Sequence, residues 1–190
     1  MKNLTALMLP AILGLAACGG TTVPVPPTLD EIADKGLGLL ETTEQLGGFT
    51  DPSTLPTSSS ASYDGVMAIA LSDGTEVAGE MEMNVAFSGT PSIDGRVYNI
   101  VDGDAVYYDG ELDLGNSVVD RGANTAFEYT YGMEMTGTVT GGGSSVDVDA
   151  VLLGDFVGNN HQQVIGIVGG EVSIDNQNLI ITDGVYVAER

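Results

Sequence analysis

The chain has 190 residues, with 27 Asp and Glu against 5 Lys and Arg, a formal net charge of −22, 27 Gly, no Trp, one Cys and one His. So acidic a chain repels phosphate backbones and anionic head groups, which excludes nucleic acid and a basic membrane-binding patch; one Cys with one His builds neither an internal disulfide nor a structural zinc site. The length suits one domain with a modest core, and a hydrophobic content of 43% excludes disorder over most of it.

The first twenty residues read as an address. Lys2 gives a positive start, and residues 4–15 form an apolar run interrupted by Pro10. That run is too short to span a bilayer as a mature helix and suits a secretory signal peptide over 1–17. It ends in Leu15-Ala16-Ala17-Cys18, followed by Gly19-Gly20. This resembles the lipobox of bacterial lipoproteins, and the only Cys of the chain sits at the one position that chemistry needs. The alternative is an ordinary signal peptide with a coincidental Cys. The resemblance implies cleavage between Ala17 and Cys18, diacylation of the Cys18 thiol, and anchoring by two or three acyl chains such as palmitate. One chain would bind only marginally, at about 0.8 kcal/mol per buried methylene. Gly19, rather than Asp, fits export to the outer membrane by the same resemblance.

Residues 21–27 (T-T-V-P-V-P-P) read as an extended spacer. Thr28 and Glu31 then have capping-box spacing, and Leu29, Ile32, Ala33, Leu40 and Leu46 keep a helical period. The expectation is a short helix over 29–46, stopped by Gly47 and weakened by Gly36 and Gly38. Packing on its own domain is the plain role for that helix, and binding a partner the sharper one. Residues 51–62 read as a polar Pro/Ser linker, so 18–62 forms an anchor, linker and helix segment ahead of a domain over 63–190.

From Tyr63 the periodicity becomes two. Asp73-Gly74 between two apolar runs is a hairpin signal. In the next run Met81, Met83, Val85 and Phe87 share one face, with carboxylates on the other. Further strand-like runs lie at 96–101, 105–114, 126–131, 133–140, 146–153, 164–174 and 179–188, separated by Gly-, Asn- and Asp-rich turns. Eight or nine strands with no helical window predict an all-β domain, best fitted by an eight-stranded antiparallel barrel filled by side chains. A membrane barrel alternates too, but there is no Trp, no aromatic girdle at the strand ends, and 21 acidic residues after Tyr63 that a lumen would have to hold. The apolar faces are therefore expected to form the core.

The segment Gly154-Asp155-Phe156-Val157-Gly158, followed by Val164-Ile165-Gly166 and by Gly169-Gly170, resembles the closing motif of the transferrin-binding-protein-B-like β-barrel lipoproteins. There a G-x-F-x-G segment precedes a second Gly-rich strand. Residues 79–85, 133–139 and 184–190 look like other strands of that family. The resemblance covers 63–190 and implies a single-barrel member: lipid-anchored, at the outer membrane on its periplasmic or outer face, and serving nutrient or iron-carrier capture. Independently of the family, glycines at 154, 158, 166, 169 and 170 imply tight barrel bending or close backbone approach, or else a backbone that lines a ligand.

Motifs for chemistry are few. Asp102-Gly103-Asp104 and the Asp109, Glu111 and Asp113 set alternate as Ca²⁺ ligands would, yet no EF-hand or RTX repeat is present; Asp147 and Asp149 are the same case. His161 lies in a polar turn, and Ser144-Ser145 have only that His to draw on for a triad. Met67, Met81, Met83, Met133 and Met135 read as core fillers rather than soft-metal ligands. Phe127, Tyr129 and Tyr131, beside Tyr107 and Tyr108, read as a core face, with a recognition patch as the sharper alternative. No metal and no cofactor are expected. The reading is a non-catalytic binding or interaction module, held to the membrane by its lipid and meeting an extracellular protein or small ligand. A structural envelope lipoprotein is the alternative. A hydrolase would need a pocket in which His161 meets a Ser or a carboxylate.

Overall fold

The computed structural model describes residues 25–190; Ala17, Cys18 and the signal-peptide and spacer assignments before Val25 lie outside the described residues. The capping box forms as expected. The Thr28 hydroxyl accepts from the Glu31 backbone N–H, and the Glu31 carboxylate accepts from the Thr28 N–H at 2.8 Å. The bond from the Thr28 N–H, and after it one from the Thr28 hydroxyl, lower the Glu31 carboxyl pKa from its ordinary value. The capping bonds together start helix α1 (Leu29–Gln45), which ends at Leu46, one residue before left-handed Gly47.

Nine strands follow: β1 (Ser60–Leu71), β2 (Glu76–Ala86), β3 (Ser92–Asp102), β4 (Tyr107–Tyr108), β5 (Leu112–Val119), β6 (Tyr131–Gly141), β7 (Ser144–Val157), β8 (Gln163–Ile174) and β9 (Gln177–Glu189). Each long strand pairs antiparallel with the next, and β1 pairs with β9 from Asp64↔Glu189 onward, so the sheet closes on itself. The result is an eight-stranded up-and-down barrel with the two-residue β4 added along β3. Closure leaves no long open edge for another chain to extend.

The period-two pattern places the core inside. Met81, Met83, Val85 and Phe87 point inward and are buried, as are Met67, Met133 and Met135. Helix α1 lies outside the barrel, over β1, β2 and β9. Ile32 and Leu39 pack with Val66, Ala78, Val101 and Val187 in a second, smaller apolar cluster. Gly36 has a reason there: a Cβ would sit 3.0 Å from Val66 Cγ2, so glycine lets the helix approach the sheet.

Three sequence expectations differ from the structure. Residues 51–62 are not a free linker. Asp51 caps a 3₁₀ turn at Pro52–Thr54, Leu55 is buried in the barrel core, and β1 starts at Ser60. The Arg121 guanidinium secures this crossing by donating to the carbonyls of Leu55, Pro56 and Phe87. Polarity hid the packing, because one leucine and a guanidinium contributed from another loop close the barrel mouth. The run 105–114 is split, since Ala105 and Gly110 take positive φ, Asp102 holds the turn that precedes β4, and between β4 and β5 Asp109 bridges to Thr140. Residues 126–131 are mostly loop: Asn124 accepts from the backbone of Ala126, Phe127 and Glu128. Only Tyr131 of that aromatic face is in the core, and Phe127 is 88% exposed.

Candidate functional site

The barrel interior is filled. Phe156, from the Gly154–Gly158 motif, is the hub of an aromatic cluster, 5.2 Å from Tyr131, 5.7 Å from Phe87 and 6.3 Å from Tyr63 between ring centres. The glycines around it admit tyrosines. Tyr131, Gly154, Gly166 and Tyr186 are successive register partners across β6, β7, β8 and β9. The two tyrosines fold over the glycines, and their hydroxyls meet at 2.9 Å. A Cβ on Gly154 would lie 2.1 Å from the Tyr186 oxygen. Burial drives both tyrosine pKa values well above the ordinary range, so both stay neutral and share one hydrogen bond. Gly170 sits where the β8–β9 register shifts and abuts the backbone of Ala150. Gly158 takes φ +84 in the turn after β7, whereas Gly169 has open space around it. Toward the opposite end, between Met67, Ile69, Met135 and Val172, only about 40 Å³ remains free, close to the volume of one water.

Three of the carboxylate candidates, Asp102, Glu111 and Asp147, are committed to local structure. Asp102 Oδ1 accepts from the N–H groups of Asp104 and Val106, and its Oδ2 from the Tyr108 hydroxyl at 2.9 Å. Burial, followed by that bond, pushes Tyr108 up to about 12. Glu82 and Glu111 both pair with Arg96, and Asp147 accepts from Thr138. Among the described residues no group of His, Cys, Asp and Glu has the geometry to hold a metal. His161 takes φ +45; its ring lies edge-on to Phe87 at 5.2 Å, with Nε2 3.2 Å from Arg190 Nη1. Burial and then the Arg190 charge lower its pKa. Among the described residues neither a Ser nor a carboxylate hydrogen-bonds to that ring.

The concave feature lies outside the barrel. A groove of about 640 Å³ runs between α1 and the outer faces of β1, β8 and β9. Its walls carry apolar side chains that face water: Leu37 is 60% exposed, Phe49 55%, Val185 49% and Ile167 44%. Tyr129 stands at one side, which gives the 120–130 loop a place at this surface. Asp155, also at the groove, is buried and accepts from the Thr130 backbone and hydroxyl at 2.9 and 2.7 Å, fixing the loop beside Tyr129. The helix is pinned at its other end by Gln163, whose side chain accepts from Thr43 and donates to the Leu39 carbonyl.

Of the residues lining the groove, Leu29, Ile32, Ala33 and Leu40 stood out in the sequence by their helical period, Tyr129 by its aromatic face, and Asp155, Ile165 and Gly166 by the glycine motif, whereas Leu37, Phe49 and Ile167 carried no mark of their own. A signal was present: V-I-G-I-V in β8 and V-Y-V-A in β9 are continuous apolar runs, as expected of strands covered on both faces. Helix α1 likewise carries Leu37 and Leu40 beyond the stripe that its contact with the barrel uses. Comparison with protein-family models, with curated proteins and with solved structures gives no match. Among the described residues no helix is long and apolar enough to cross a membrane.

Proposed function

We propose that this chain is a lipid-anchored outer-membrane or cell-surface β-barrel that works as a non-catalytic binding module, with Cys18 as anchor and the groove beside α1 as its binding surface. One observation carries the reading: the barrel is full, and its concave apolar surface lies on the outside. Exposed apolar patches of this kind mark interaction sites, and about 640 Å³ falls in the ligand-site range of about 300–1,000 Å³. The lipobox-like 15–18 segment supports the anchor, and the acidic exterior supports solubility on a tether. Capture of a nutrient or iron carrier is the role the family resemblance suggests for such a module.

Two measurements test this. Cells fed labelled palmitate incorporate label into the full chain and not into Cys18→Ser, which leaves the membrane fraction. A photo-crosslinking residue at Phe49 or Tyr129, at the groove, gives discrete products in intact cells, while one at Asp147, near the end of β7 remote from Asp155, gives none. Equal labelling of Cys18→Ser refutes the anchor. Crosslinking that is equally diffuse at all three positions refutes the binding surface and favours a structural envelope role.

A further inference from the structure

The groove begins where the chain enters the fold. Leu29, the first residue of α1, lines it, and Cys18 lies about eleven residues upstream, a reach of up to roughly 40 Å. Its lining is poor in hydrogen-bonding groups. Asp155 is occupied by Thr130 and the Tyr186 hydroxyl by Tyr131; β9 is paired with β1 along the groove and Ile165 to Ile167 of β8 with β9; the remaining side chains add the Glu76 and Asp183 carboxylates and the Tyr129 hydroxyl. A peptide seated there would bury N–H and C=O groups without partners. A hydrocarbon chain needs none.

Charge narrows the choice. Glu76 and Asp183 repel a free fatty-acid carboxylate or an anionic phospholipid, and a net charge of −22 on each molecule opposes a second copy. The ester and amide links of a lipidated cysteine carry no negative charge. We infer that the groove holds one acyl chain of the lipid carried by this chain's own Cys18, an inference that rests on the lipid-anchor reading above. The outer face of the barrel then covers an acyl chain whenever the protein is in water, and competes with the bilayer for that chain once it is anchored.

The test uses the full chain in cells fed a palmitate analogue with a photoreactive diazirine near its end. After irradiation and digestion, mass spectrometry locates both the label on Cys18 and its crosslinks. The expected result is intramolecular crosslinks to α1, β8 and β9 around Leu37, Ile167 and Val185. Ile167→Asp is expected to reduce them by roughly tenfold or more with label at Cys18 and melting midpoint unchanged, because the position is half exposed and the new carboxylate is costly only beside a buried hydrocarbon. Leu37→Asp, on the exposed side of α1, gives the same reading if Ile167→Asp does not accumulate. Label at Cys18 with crosslinks only to phospholipid, to other proteins or between two copies overturns the inference. No label at Cys18 overturns the anchor itself, and the inference with it.

Discussion

Gly154→Ala adds one methyl inside the barrel at the point where two tyrosine hydroxyls meet. The new carbon would stand 2.1 Å from the Tyr186 oxygen, 2.7 Å from the Tyr131 oxygen and 2.8 Å from the Ile165 carbonyl. The sheet cannot yield easily, because Gly154 is register-paired on both sides, so the tyrosines must move. Overpacking costs about 1–3 kcal/mol, and separating the buried hydroxyl pair leaves polar groups unsatisfied at about 1–3 kcal/mol. The sum is a loss of roughly 2–6 kcal/mol, or a fall of several degrees and upward in melting midpoint for a chain of this size. Urea unfolding followed by far-UV circular dichroism measures it. Tyr186→Phe removes the oxygen nearest the new methyl, so Gly154→Ala is expected to cost at least about 1 kcal/mol less in the Tyr186→Phe background, a coupling typical of touching residues. Loss below about 0.5 kcal/mol for Gly154→Ala, or strict additivity in the double variant, would refute the claim that these glycines are there to admit the tyrosines.

Arg121→Ala removes three guanidinium-to-carbonyl bonds that close the barrel mouth. It is expected to cost about 1–3 kcal/mol in urea unfolding and to speed proteolytic cleavage within 51–59. Ile32→Ala is expected to cost about 2–4 kcal/mol, because Ile32 is buried between α1 and the barrel; an unchanged midpoint would mean that the helix is not held there. His161 is held below its ordinary value by burial and then by Arg190, so the unfolded chain takes up its proton more readily than the folded one. The stability it contributes is intact above about pH 6.5 and is lost as pH falls from there toward the folded value. His161→Asn tolerates the positive φ, and the melting midpoint should then fall less between pH 7.5 and pH 5.5 than it does in the parent chain.

The barrel was legible because its strands alternate. Met81, Met83, Val85 and Phe87 needed only the period of two to be placed inside, and Thr28 with Glu31 needed only their spacing to start α1. The loop at 126–131 was not legible, since its aromatic residues imitate a strand, and what turns the chain is hydrogen bonding to Asn124. The mouth closure by Leu55 and Arg121 joins residues 66 apart in sequence, a contact that no local pattern carries. The glycines were visible as a set, but their cause was not. For Gly154 and Gly166 that cause is the pair Tyr131 and Tyr186 on the flanking strands, and for Gly170 the backbone of Ala150, each known only once the register is fixed. The groove was half legible: strands apolar on both faces announce a cover, and α1 covers only part of them.

Whether the binding surface lies outside a filled barrel is decided by titrating the Cys18→Ser chain with a neutral apolar dye that fluoresces on leaving water. Saturable binding that is lost in Ile167→Asp and in Leu37→Asp, and kept in Phe127→Asp on the exposed loop, is the result this account requires. No binding, or binding that survives both groove substitutions, would contradict it.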